Sequence, residues 1–170
     1  QYHERSLSIF EEIGDRSGEA KSLHSLGDIA LQRGEFAEAE QYHERSLSIE
    51  QEIGDRSGEA ASLHSLGTIA LQRGEFDAAE EYHERSLSIE QEIGNRSGEA
   101  ASLGSLGNIA LQRGEFETAK DRHQSALAIF AELGQVREEI QTLQNLVRTA
   151  EELDDEAAAV EWVERGLTQL

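Results

Sequence analysis

Apolar positions fall into short stripes at helical spacing, and the stripes return at a fixed interval. Leu63, Leu66 and Ala70 stand at i, i+3 and i+7, and beyond Gly74 the residues Phe76, Ala79, His83 and Leu87 form a second stripe of the same kind. The pair predicts a helical hairpin with a first helix, A, and a second, B. Gln1 to Ile9 returns as Gln41 to Ile49 and, with one change, as Glu81 to Ile89, while Leu26-Gly27, Leu66-Gly67 and Leu106-Gly107 keep step. Such a 40-residue interval marks an array whose modules bury their apolar faces against neighbours, not around one centre. No strand-like alternation appears, so the fold class is all-α.

Turn chemistry sets the element boundaries. Gly74 and Gly94 can close helices in a left-handed conformation, and Asp55 or Ser57, then Asn95 or Ser97, offer oxygens to cap the next helix. Helices A are predicted near 19–33, 59–73, 99–113 and 137–152, and helices B near 36–53, 76–93, 116–133 and 156–169. The chain reads as a single array over 1–170. Its parts are the second helix of a truncated repeat (1–19), three regular repeats (20–59, 60–99, 100–139) and a degenerate C-terminal repeat (140–170).

The opening B helix, Gln1 to Ile13, lacks an A partner and an initiating Met, so the sequence reads as a fragment of a longer array that would cover Leu7, Phe10 and Ile13. At the other end Leu143, Leu146, Ala150 and Ala159 keep step, but Val147 stands where Gly67 was and Glu156 where Phe76 was. The last helix presents Trp162, Val163, Leu167 and Leu170. Both ends are therefore expected to be adhesive, a route to end-to-end self-association.

Charge narrows the partners. Thirty-five acids against fifteen bases give a formal charge of −20, which argues against nucleic acid as a partner, because phosphates need Lys and Arg to displace their counterions. The acids concentrate on helices B: Ala60 to Gly74 carries none, whereas Glu75 to Glu99 holds Glu75, Asp77, Glu80, Glu81, Glu84, Glu90, Glu92 and Glu99. Two readings stay open, a solvated outer face, which is preferred, or a surface for a basic partner. With Lys only at 21 and 120, the composition also suggests a salt-rich cytoplasm. The absence of Cys rules out disulfide frameworks and thiolate metal sites, and no apolar run approaches membrane-spanning length. A cytoplasmic protein with no membrane partner is expected.

Ala60-x-x-Leu63-x-x-Leu66-Gly67-x-x-Ala70-x-x-x-Gly74-x-Phe76-x-x-Ala79 resembles the tetratricopeptide repeat. The usual unit is about 34 residues. Here helix B runs on through Glu90 to Ile93 and the closing Pro is absent, as in the longer repeats of Pins-type polarity adaptors, kinesin light chain and the tails of prokaryotic signalling ATPases. The resemblance implies a right-handed superhelical solenoid of antiparallel helix pairs. Gly67 then lets its partner helix approach closely, Ala79 is the small residue opposite, and Phe76 fills the space between helices.

Near-identical repeats make their differences legible. Along helix A the core letters stay fixed while Lys21/Ala61/Ala101, His24/His64/Gly104 and Asp28/Thr68/Asn108 change, at i, i+3 and i+7 on one stripe. In the family that stripe lines the concave groove that holds ligands, which is what the resemblance implies here. The fourth unit places Gln141, Gln144 and Arg148 there, and Leu31, Leu71 and Leu111 with Gln32, Gln72 and Gln112 add a constant apolar strip beside amides. A neutral, mixed groove suits a protein or peptide partner, held as an extended or helical segment.

Catalytic readings are set aside. His43 and Glu44 are sequence neighbours that diverge by about 100° on a helix, and the repeated His43, His83 and His123 read as packing residues. His24 and Asp28 at i, i+4, with His64 one unit along, resemble metal ligands but lack a convergent third and fourth donor. No Gly-rich loop follows a strand. The sequence thus predicts no enzyme, no cofactor and no metal, but an interaction scaffold. The alternative is a sensor or regulatory tail of a larger signalling protein, such as an ATPase of the STAND type.

Overall fold

The computed structural model describes residues 2–168, and these form two compact units that divide after Ile93. The first unit holds α1 (Tyr2–Ile13), α2 (Arg16–Gln32), α3 (Phe36–Ile53), α4 (Arg56–Gln72) and α5 (Phe76–Ile93). The second holds α6 (Arg96–Arg113), α7 (Phe116–Leu133), α8 (Val136–Glu152) and α9 (Glu156–Leu167). All regular structure among the described residues is helical. Gln1, Gln169 and Leu170 lie outside the described residues.

Helices B begin where the spacing predicts, but α2, α4 and α6 start three residues earlier than the 19, 59 and 99 read from the sequence. Asp or Asn, not Ser, provides the cap. Asp15 accepts from the Gly18 amide at 3.0 Å, Asp55 from Gly58 at 2.9 Å and Asn95 from Gly98 at 3.2 Å. Each satisfies an amide that has no partner within the helix. At the far ends a glycine takes the left-handed conformation, as at Gly54 (φ 72°). The degenerate repeat puts Asp154 where the earlier A helices end at Gly34, Gly74 and Gly114, with φ 55°, the sole positive-φ residue other than glycine among the described residues.

Packing follows the repeat. In the first unit Ala20, Leu23 and Ile49 form one buried cluster with Leu7 and Tyr42, and Ala60, Leu63 and Ile89 form its counterpart with Leu47 and Tyr82. In the second unit Leu127, Leu143 and Leu146 pack beneath Trp162. Burying each leucine contributes about 1.5–3 kcal/mol, so these small clusters supply most of the drive to stack. Ala39, Ala79 and Ala119 are wholly inaccessible.

One polar device recurs within each of the three regular hairpins. Arg16 bridges Glu19 at 2.5 Å and Glu52 at 2.6 Å, tying the start of α2 to the end of α3; Arg56 does the same with Glu59 and Glu92. Arg96 joins Glu99 and Glu132 in the second unit. The acids of helices B are not uniformly an outer face, however. Glu44 and Glu84 are exposed, but Glu50 and Glu90 are buried, and burial pushes the Glu50 carboxyl above its usual range. Gly58 makes room for Glu50, since a Cβ there would lie 2.9 Å from its side chain.

Candidate functional site

The variable stripe of the A helices opens onto clefts inside each unit. Between α2 and α4 a cleft of about 380 Å³ is lined by Lys21, His24 and Ser25 on one side and Ser57 and Ala61 on the other. Between α6 and α8 a cleft of about 270 Å³ is lined by Ala101, Gly104 and Asn108 facing Gln141 and Asn145. Gln144 and Arg148 border a third, apolar cleft of about 390 Å³ against Trp162 and Val163 of α9. Asp28, His64 and Thr68 are half-buried and Gln32, Gln72 and Gln112 exposed; none of the six lines these three clefts.

Two of the three leucines expected to form an apolar strip in the groove, Leu31 and Leu111, turn inward instead. Leu111 is buried with Ala110, Ala119 and Phe116, and Leu31 packs with Phe36 against Ala30, Ala39 and Ile69. The cause is the turn between A and B, which folds the first phenylalanine of helix B back over the last turn of helix A. Leu71 is half-buried. Asn145, which the comparison of the first three repeats passed over, donates to Asn108 Oδ1 at 3.0 Å and so joins α8 to α6. Its signal was the change from Ser25, Ser65 and Ser105 to Asn at the corresponding position.

Each of the three regular hairpins buries one histidine of its helix B against its helix A. The rings of His43, His83 and His123 are wholly inaccessible, each over a glycine of the preceding helix. A Cβ on Gly27, Gly67 or Gly107 would come within 2.6, 2.7 and 2.6 Å of the respective Nε2. The repeated glycine therefore makes space for an imidazole, not for a helix backbone. Where Val147 replaces the glycine, Val163 replaces the histidine. Burial pushes His43 down to about 4, with a further contribution from the charge of His24, and His83 down to about 3, with His64 contributing; burial pushes His123 down to about 4.

Each ring meets a different neighbour. His24 stands edge-on to His43, and His64 to His83, with centroids 4.8 Å apart in both pairs. In the third hairpin Gly104 replaces the first ring, and His123 Nε2 lies 3.1 Å from Asn108 Oδ1. In the first hairpin Asp28 Oδ1 lies 3.8 Å from His24 Nε2 and 3.7 Å from His43 Nε2. The third group beside His24 and Asp28 is thus His43 of the same hairpin. The sequence looked for it at His64, one repeat along.

The tetratricopeptide-repeat family model matches residues 1–52, 33–92, 58–132 and 98–170. No curated protein is significantly similar in sequence. Among solved structures, BtubC from P. vanneervenii superposes with a TM-score of 0.83 at 23% identity, over 91% of this chain and 64% of that one. Aspartyl phosphate phosphatase F from Bacillus subtilis gives 0.91 at 14%, over 99% of this chain and 44% of that one. MamA gives 0.70 at 16%, over 99% and 90%. The chain spans less than two thirds of the first two proteins, and these likenesses show the fold. No described helix is long and apolar enough to cross a membrane.

Proposed function

The chain belongs to the tetratricopeptide-repeat family, and from that premise we propose that it is a non-catalytic scaffold that holds a peptide or helical segment of a protein partner against its A helices. One observation carries the reading. Core positions recur almost unchanged, whereas Lys21/Ala61/Ala101 and His24/His64/Gly104 vary, and members of both sets line clefts between successive A helices. Variation at cleft-facing positions beside a constant core is what adaptation to a ligand leaves; Ala37/Asp77/Glu117 and Glu38/Ala78/Thr118 at the start of helices B vary as well, as solvent-facing drift. The small, polar walls of Ser25, Ser57, Asn108, Gln141 and Asn145 suit backbone amides, and the net charge of −20 disfavours nucleic acid.

The test places equal charge on two faces. Ala61→Glu with Gln141→Glu adds carboxylates to exposed cleft positions, whereas Ser48→Glu with Ser88→Glu adds them to exposed positions of helices B. A partner captured by the wild type, reduced to its binding peptide and measured by fluorescence anisotropy, should bind the cleft variant at least about tenfold more weakly, a loss of about 1.4 kcal/mol. The helix-B variant should bind as the wild type does. Equal losses, or a loss only in the helix-B variant, would sink the cleft reading.

A second reading, a sensor or regulatory module of a longer signalling protein, is supported by the likeness to Aspartyl phosphate phosphatase F, of which the chain spans 44%. The exposed Tyr2, Ile9 and Ile13 of α1 and Val160, Val163 and Leu167 of α9 support end-to-end self-association. Sedimentation velocity should then show mass rising with concentration. A constant monomer mass would remove that proposal.

A further inference from the structure

We propose that His24, Asp28 and His43 form a binding site for a divalent transition-metal ion of the zinc class, built into the first hairpin. They are the one group of three metal-ligating side chains that converge among the described residues, with donor atoms all within 4.8 Å of one another. His24 and Asp28 stand one turn apart on α2, and His43 reaches in from α3 over Gly27. The separations of 3.7 and 3.8 Å around Asp28 Oδ1 are too long for hydrogen bonds. They lie close to the roughly 3.3 Å between donors that tetrahedral bonds of about 2.0–2.1 Å require. A bridging cation needs only small adjustments of side-chain torsion.

His43 is the second, independent observation. Its ring is wholly buried, yet neither Nδ1 nor Nε2 has a hydrogen-bond partner, and Nε2 faces Asp28. Buried polar atoms are normally satisfied, so an orphan aimed at a carboxylate and a second imidazole points to something between them. His24 is oriented as ligating histidines usually are: its Nδ1 lies 3.3 Å from Ser62 Oγ on α4, which leaves Nε2 turned to Asp28.

The other hairpins serve as internal controls. The second retains both rings and leaves both nitrogens of the buried His83 unpaired in the same way, but it has Thr68 in place of the acid, so the carboxylate is what sets the first hairpin apart. The third has lost the first ring and satisfies His123 with Asn108. Only the first combines two imidazoles with a carboxylate. Two nitrogens and one oxygen suit zinc-class ions, whereas calcium and magnesium prefer all-oxygen sites. Asp28 is half-exposed, so ions enter from solvent and water completes the coordination.

The experiment is calorimetric titration of the untagged full chain with zinc chloride, alongside cobalt(II) titration followed by visible absorption. Wild type should bind one equivalent and develop the intense bands of tetrahedral cobalt. Asp28→Thr installs the residue native to the second hairpin, so the fold should persist by circular dichroism while affinity falls at least about tenfold. Thr68→Asp should raise the stoichiometry from one to two per chain. No binding by wild type, wild-type affinity in Asp28→Thr, or a stoichiometry still at one in Thr68→Asp would each overturn the assignment.

Discussion

Acidification from pH 7 to pH 5, with a chelator present, should cost the folded chain about 4–6 kcal/mol, a large part of the roughly 5–15 kcal/mol that holds an ordinary domain together. The source is the buried imidazole of each regular hairpin. His43, His83 and His123 are held down to about 4, 3 and 4, because burial penalises the charged ring, and in unfolded chain a histidine titrates near 6.5. Between those limits the unfolded state binds protons that the folded state refuses. Stability therefore rises with pH in that window and is lost as pH falls from about 6.5 towards 4, by about 1.4 kcal/mol per pH unit for each ring. Two rings give about 4 kcal/mol over the window above pH 5 and three give about 6.

The lower figure counts the rings of His83 and His123 alone, because His43 belongs to the proposed metal site. Glu50 acts in the opposite sense. Its raised carboxyl gains a proton in the folded state first, which favours folding as the pH falls, but one carboxyl does not offset three imidazoles. Urea denaturation at pH 7, 6 and 5 should show the loss directly. Gly107→Val with His123→Val, which copies the Val147 and Val163 pair of the fourth repeat, should reduce the slope by about a third. A stability that holds level between pH 7 and pH 5 would refute the account.

Helix order and hairpin pairing were legible in the sequence because both rest on local chemistry. Asp55 and Asn95 fix where helices start, Gly54 and Gly114 where they stop, and the stripes of Leu63, Leu66 and Ala70 fix which side is inward. What depends on one helix's rotation against another was not legible. Gly67 announced a close approach, but only the packed pair reveals that the approaching group is His83. A trace of it was present, since Val147 and Val163 change together. The convergence of His43 on His24 and Asp28 is of the same kind, because an i, i+4 pair says nothing of what α3 brings across. Leu31 and Leu111 were assigned to the surface because the folding of Phe36 and Phe116 back over them is a property of the turn. The burial of Glu50 was missed because a charge run reads as solvated, although its partners Ser46 and Gly58 repeat as faithfully as it does.

One helix carries an opposed pair of substitutions. Gly104 and Gly107 lie one turn apart on α6; a Cβ on Gly104 would meet nothing within 4 Å, whereas one on Gly107 would meet His123 Nε2 at 2.6 Å and Cδ2 at 2.7 Å. Alanine in place of a helical glycine gains about 1 kcal/mol from backbone entropy, and Gly104→Ala should collect all of it. At Gly107 the same gain is opposed by overpacking, about 1–3 kcal/mol, because the His123 ring is wholly buried and cannot swing aside. Moving the ring also breaks its 3.1 Å contact with Asn108, worth about 1 kcal/mol more. Gly107→Ala should therefore destabilise by about 1–3 kcal/mol, leaving the two alanine variants about 2–4 kcal/mol apart in chemical denaturation. The clash is testable by removing its other half: in a His123→Ala background the void accepts the new methyl, and Gly107→Ala should become stabilising by about 1 kcal/mol. If Gly107→Ala stabilised the wild type as much as Gly104→Ala does, the glycine would not be there to seat the ring, and the shared change to Val147 and Val163 would lose its explanation.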